Sequence, residues 1–231
     1  MTLIEFLTEK GIDSKLCDKY YQFMKLTLEW NEKINVTAVK DEEEFIQKNI
    51  IDSLTIVGRP EISTAARIID VGTGGGLPGV PLAIAYPDKE FVLMDAIGKK
   101  LKVVQAVADE IGLANLRTVH SRAEDLARQK DYRESFDLVV SRAVANMTTL
   151  SEYCLPFAKV GGSFTAYKTE NAAEEIEAAA HAVTKLGGHL HEFENDGIEG
   201  SGHGFVRVEK VSKTPGTYPR KAGLPSKEPL V

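Results

Sequence analysis

Residues 68–79 read IIDVGTGGGLPG: a short apolar run, one acid, then five glycines within eight positions. Glycine gives up more chain freedom on folding than any other residue. So dense a cluster therefore marks a place where something comes very close to the main chain. The run Arg67–Val71 predicts a strand. The glycines predict a loop at its carboxyl end, and the residues from Pro78 to Tyr86 predict a helix beyond it.

Outward from this stretch, short apolar runs alternate with helical patterns. Strands are predicted at EFVLMD (90–95), LRTVH (116–120), FDLVV (136–140) and SFTAY (163–167), with helices near Lys99–Ile111, Met147–Phe157 and Ala172–Leu186. Alternation of this kind builds βαβ units and a parallel sheet covered on both faces. The last two runs, HLHEFE (189–194) and GFVRVEKV (204–211), are separated only by a glycine-rich loop. That loop is too short for a crossover helix, so this pair is predicted antiparallel. The expected fold is α/β, a doubly wound and mostly parallel seven-stranded sheet. Ahead of it, residues 1–66 predict a separate helical extension. Ser14 caps a helix carrying Leu16, Tyr20, Phe23, Thr27, Trp30 and Ile34 at steps of three and four, and a second helix follows the Asp41/Glu44 capping pair. Residues 67–211 form the main domain and 212–231 an extended tail.

The pattern Gly74-x-Gly76-x-x-Gly79 fits a dinucleotide turn, but the bend starts earlier, at Gly72, two residues after Asp70. An acid at the strand end repels a pyrophosphate. It suits S-adenosylmethionine, which carries an ammonium, a sulfonium and no phosphate. Asp95 ends the second strand, 23 residues after Gly72, at the offset where an acid reaches ribose hydroxyls; both ligand classes share that feature. Ala123 and Glu124 follow the third strand, where an adenine ring lies in such folds, or where a helix simply starts with acids. Ser141 and Arg142 end the fourth strand and are expected to face the reacting centre. Arg142 suits a carboxylate, a phosphate or guanine O6, with a structural ion pair as the competing reading. There is no Asn-Pro-Pro-Tyr stretch and no Pro-Cys nucleophile, and Cys154 reads as core packing. The acceptor therefore needs neither. Guanine N7 is such an atom: it has a free lone pair and loses no proton.

The chain has 231 residues and a net charge of −6, yet from Arg207 onward six basic residues stand against two acids. An acidic body with a basic end suits contact with a polyanion, or is simply a solvated terminus. The acidic start of the chain is not a secretory signal, and no apolar run reaches membrane-spanning length. Cys17 and Cys154 are isolated, which argues against zinc and a disulfide framework. His189 and His191 read as surface residues, with no metal expected. A cytoplasmic monomer is expected.

The stretches NVTAVKDEEEFIQKNIIDSL, IDVGTGGGLPGVPLA, LMDAIGKKLKVV, SRAEDL and FDLVVSRAVA together resemble the bacterial 16S rRNA guanine-N7 methyltransferase G family, also called glucose-inhibited division protein B. The resemblance runs from about Asn35 into the tail. It implies a class I, Rossmann-like methyltransferase fold and S-adenosylmethionine as methyl donor. The acceptor it implies is a guanine of the small-subunit decoding region, position 527 of 16S rRNA. Family cofactor contacts fall by matching position on Gly72, Leu77, Ala123, Glu124 and Arg142, beside Gly74 of the loop and Asp95 from the ribose argument. Arg142 is also the expected catalytic positioning residue, with no general base. Lys99, Lys100, Lys168, Arg220 and Lys221 are the expected contacts to RNA, and the tail KTPGTYPRKAGLPSKEPL resembles the family's basic ending. Asn49 stands where the family pattern has histidine. An oxidoreductase and a noncatalytic RNA-binding module are the competing classes.

Overall fold

The computed structural model describes residues 1–198 and 200–230. The glycine loop leaves β1 (Arg67–Val71) and runs into α6 (Gly79–Ala85). The elements ahead of β1 are α1 (Leu3–Glu9), a 3-10 turn (Ser14–Leu16), α2 (Cys17–Asn31), α3 (Glu42–Phe45), a π-helical segment (Ile46–Ile51), α4 (Asp52–Leu54) and α5 (Pro60–Thr64). After α6 come β2 (Glu90–Asp95), α7 (Gly98–Glu110), β3 (Leu116–His120), α8 (Ala123–Leu126), β4 (Phe136–Arg142), α9 (Met147–Cys154) and β5 (Ala158–Thr169). The chain finishes with α10 (Ala173–Lys185), β6 (Gly188–Asn195), β7 (His203–Lys210) and α11 (Leu224–Lys227).

The seven strands lie in the order β3-β2-β1-β4-β5-β7-β6. Strands β1 to β5 pair in parallel, with Ile68 opposite Phe91 on one side and Leu138 on the other. β7 inserts antiparallel between β5 and β6, the arrangement expected from its short connection to β6. The chain leaves β1 toward β2 and β3, then returns to add β4 and β5 on the other edge of β1. The loops after β1 and β4 therefore diverge and open a crevice at the strands' carboxyl ends.

Alternate residues of each strand feed two cores. Ile68, Leu93, Leu138, Val140 and Phe205 pack with α1, α2, α6 and α7, while Ile69, Val71, Met94, Val139 and Val206 pack with α8, α9 and α10. The N-terminal residues Phe6, Tyr20, Phe23, Phe45 and Ile50 belong to the first of these cores. Residues 1–66 thus supply a layer of the main fold.

Three local features differ from the sequence expectation. Helix α1 comes first, capped by Thr2 and Glu5 in a reciprocal box. Ser14 does not cap α2; Asp13 caps the 3-10 turn and α2 begins at Cys17. Ile34 lies past the helix end because the Asn31 side chain accepts the N–H groups of Val36 and Thr37 at 2.9 and 3.0 Å, which turns the chain out of the helix.

The tail is docked along its length. The Arg133 guanidinium donates to the carbonyls of Thr214, Pro215 and Tyr218, and Leu230 is buried in the second core. Lys210, the last residue of β7 and one of the six basic residues from Arg207 onward, is buried. Its Nζ donates to Glu134, Thr214 and the carbonyls of Leu155 and Ala158.

Candidate active site

Glycine answers several separate packing demands in the loop. A Cβ at Gly72 would lie 2.5 Å from Val144 Cγ2, one at Gly75 2.9 Å from the Val36 carbonyl oxygen, and one at Gly79 2.6 Å from Leu93 Cγ. Protein approaches the main chain at these points. Gly74 differs: its φ is +56° and a Cβ there would meet nothing within 4 Å. It lines a cleft, so this is the glycine whose missing side chain leaves room for a ligand.

Two carboxylates fix the loop. Asp70 lies wholly inside, where it accepts the Thr73 hydroxyl at 2.6 Å and the Gly79 N–H at 2.9 Å. Its other oxygen is buried without a partner among the described residues. Burial pushes the Asp70 carboxyl up to about 7. The sequence reading put this acid beside the ligand. It instead sits beneath the loop, on the strand face that packs against α6, because β1 alternates its side chains between two covered faces. Asp95 accepts the Gly74 N–H at 2.8 Å with one oxygen and the Ile97 N–H at 2.8 Å with the other. A carboxylate has about four acceptor positions, so two remain for hydroxyls in the cleft.

The cleft has a volume of about 480 Å³ and opens at the crevice between β1 and β4. Gly72, Gly74, Leu77, Asp95, Ala123, Glu124 and Arg142 all line it, and Lys100 stands on its rim. Val36, Thr37, Val144 and Tyr153 are also part of the wall. The Asn31-held turn at residues 36–37 was not foreseen as part of the site; its signal is an asparagine placed to cap that turn. Glu124 accepts the Gly223 N–H at 2.7 Å, which brings the tail to the outer side of this wall. Ser141, expected to face the reacting centre, is buried and donates to the Val71 carbonyl at 2.8 Å, tying β4 to β1.

Arg142 also borders a second cleft, of about 510 Å³, lined by Asn49, Asp52, Tyr167, Lys168, Glu175 and His203 among others. Its Nη1 donates to Asp52 Oδ2 at 2.5 Å and to the Lys48 carbonyl at 2.9 Å, and its Nη2 donates to Asn49 Oδ1 at 3.2 Å. All three partners come from the π-helical segment and the first residue of α4. Asn49 is therefore one of three partners that clamp the arginine. Ala143 follows with φ +56° and borders both clefts. A left-handed alanine costs on the order of 1 kcal/mol and turns the chain sharply just after Arg142.

The residues expected to contact RNA divide into two groups. Lys99 and Lys221 are exposed. Lys168 lies in the second cleft, paired with Glu175 at 2.6 Å. Arg220 has an internal partner: it holds Glu152, whose side chain is 1% exposed, through both Nε and Nη2. A buried carboxylate claims it, and that removes Arg220 from the free cations. Cys17 and Cys154 are buried free thiols, and burial raises the Cys154 pKa. His189 and His191 stack edge to face on β6. Among the described residues no helix is long and apolar enough to cross a membrane.

Residues 16–198 match the family described as rRNA small subunit methyltransferase G. The Clostridium perfringens (strain 13) protein named ribosomal RNA small subunit methyltransferase G is 46% identical over 92% of this chain and 91% of its own length. The chain belongs to this family. The protein of that name from Lachnoclostridium phytofermentans is 40% identical, covering 100% of this chain and 97% of its own. Among solved structures, a 16S rRNA (adenine(1408)-N(1))-methyltransferase from Catenulisporales acidiphilia superposes with a TM-score of 0.54 at 16% identity, over 66% of this chain and 89% of its own. A fibrillarin pre-rRNA processing protein from Methanococcus jannaschii gives 0.53 at 11% identity, over 66% and 70%. At such identities the likeness is one of fold, the doubly wound sheet of S-adenosylmethionine-dependent methyltransferases.

Proposed function

We propose that the first cleft holds S-adenosylmethionine, that the second receives a guanine of 16S rRNA, and that the methyl group passes between them to guanine N7, at position 527. The observation that carries this reading is the placement of Arg142 on the boundary of two clefts of similar size. A donor site and an acceptor site that share one wall bring two reactants into line, which lowers the entropy cost of a bimolecular step.

The residues fit the donor. Gly74 leaves open space at the loop, Asp95 has two acceptor positions left for ribose hydroxyls, and Ala123 is small enough to admit a flat ring beside Glu124. S-adenosylmethionine, when bound, supplies an electrophilic methyl group on a cationic sulfur. The chain's own part is to hold and align. Arg142 uses three of its five N–H groups on the clamp and keeps two for a carboxylate or a carbonyl oxygen. Nucleophilic attack by N7 releases no proton, so no general base is required of any residue here. Electrostatic placement carries the catalysis. The exposed Lys99, Lys221 and the rim residue Lys100 are suited to phosphate contacts that orient the RNA without reading its sequence. The protein acts as a monomer in the cytoplasm.

The test is transfer of label from tritiated S-adenosylmethionine to 16S rRNA, free and in 30S particles, followed by nucleoside analysis. 7-Methylguanosine is the expected product, mapped to position 527. Label in any other nucleoside would overturn the assignment.

A further inference from the structure

The Asp52 carboxylate bridges two side chains of the second cleft. One oxygen takes the Arg142 Nη1–H at 2.5 Å and the other faces His203 Nδ1 at 2.8 Å. The Asp52 side chain is 13% exposed, so its bond to Arg142 lies mostly out of water, while the His203 ring stands about half in solvent. We propose that Asp52 is a positioning residue for methyl transfer, fixing Arg142 on the cleft boundary with one oxygen and His203 in the acceptor cleft with the other. The inference rests on the reading of the second cleft as the acceptor site.

The chemistry follows from what a carboxylate does. It only accepts, so the His203 nitrogen facing it carries the hydrogen and the ring takes the Nδ1–H form when neutral. The opposite nitrogen, Nε2, is then a lone-pair acceptor, and it has no hydrogen-bond partner among the described residues. The edge of guanine remote from N7 presents N–H donors at N1 and N2, whereas adenine presents a lone pair at N1. A histidine held as an acceptor therefore favours guanine, and an Nε2–H ring would not. On its other side the Asp52 carboxylate accepts from the guanidinium with a full negative charge, a stronger bond than the guanidinium donates to the neutral oxygens of the Lys48 carbonyl and Asn49. One carboxylate thus sets the orientation of two groups that come from distant parts of the chain, β4 and the start of β7.

Three measurements test the proposal. Two-bond nitrogen–proton correlation spectra report the form of each histidine ring, with the His203 signals identified by their loss in His203→Gln. The wild-type ring is expected as Nδ1–H, and in Asp52→Asn, whose amide N–H can face the ring, it is expected to change to Nε2–H. Asp52→Asn is expected to lower kcat on 16S rRNA at least tenfold, while the Kd for S-adenosylhomocysteine, measured by calorimetry, changes less than threefold. Asp52→Glu, which keeps the charge, is expected to recover part of the kcat loss. A wild-type Nε2–H ring would overturn the His203 half. A kcat within threefold of wild type in Asp52→Asn, or a kcat loss matched by an equal loss of S-adenosylhomocysteine binding, would overturn the Arg142 half. Wild-type protein that methylates no 16S rRNA would defeat the functional reading instead, and the ring spectra would still decide whether Asp52 sets the histidine.

Discussion

Gly74 donates its amide hydrogen to Asp95 Oδ2 at 2.8 Å, so the glycine loop after β1 and the end of β2 are fixed to one another. The same carboxylate holds the Ile97 N–H ahead of α7. Asp95 therefore shapes the cleft as well as lining it. In Asp95→Ala the loop loses its anchor and the site loses its hydroxyl acceptors. Charge-assisted bonds contribute roughly 1.5 to 3 kcal/mol each, so S-adenosylhomocysteine is expected to bind at least about 100-fold more weakly. Asp95→Asn, which keeps one acceptor oxygen, is expected to fall between. Calorimetric titration of the three proteins checks the order.

Asp70 gives a pH dependence whose sign is fixed by its burial. Its carboxyl is pushed up to about 7, against an ordinary value of about 3.9 in the unfolded chain. The folded state holds the proton more tightly, so the stabilisation is complete below about pH 4. It is lost as the pH rises through 7. The whole span is worth at most about 4 kcal/mol at 1.36 kcal/mol per pH unit. Asp70→Asn cannot titrate. Unfolding in urea from pH 4.5 to 8 is expected to show the wild type losing stability relative to this variant as pH increases. A constant difference between the two would contradict the assignment.

Much of this arrangement was legible in the sequence because the strands are covered on both faces and so read as continuous apolar runs ending in chemistry. EFVLMD and FDLVVSR each end in a polar residue, Asp95 and Arg142, that lines the first cleft. Asp70 misled because its position near the end of β1 says nothing about which face it takes; the alternation of the strand turns it inward. The clamp was hidden for a different reason. Lys48, Asn49 and Asp52 meet Arg142 across 90 to 94 positions of chain, through a π-helical turn that no local pattern announced. Composition misjudged the basic end of the chain, from Arg207 onward. Charge counting treats Lys210 and Arg220 as free cations, whereas the fold buries a carboxylate or a set of carbonyls against each.

The Gly75 position separates packing from ligand contact. A Cβ there would lie 2.9 Å from the Val36 carbonyl oxygen, which is main chain held by Asn31 and slow to yield. Gly75→Ala is expected to destabilise the protein by about 1 to 3 kcal/mol, the usual cost of overpacking. It should also weaken S-adenosylhomocysteine binding, because Val36 lines the same cleft. Thermal unfolding with and without that ligand measures both effects.

Adjacent residues of the tail, Arg220 and Lys221, are expected to behave oppositely. Arg220 neutralises Glu152, and Arg220→Ala leaves that carboxylate buried without its cation. Breaking a buried pair from one side costs about 3 to 5 kcal/mol. Arg220 itself keeps some contact with solvent, so the lower end of that range is expected in urea unfolding. Lys221 is exposed, and Lys221→Ala should leave stability within about 0.5 kcal/mol. If Lys221 meets a phosphate, its loss reduces the slope of log affinity for 16S rRNA against log salt by about 1, whereas Arg220→Ala, in protein that remains folded, leaves that slope unchanged. Equal slopes for Lys221→Ala and wild type would place the RNA on another face of the protein, and a changed slope for Arg220→Ala would mean that RNA binding pulls the arginine away from Glu152.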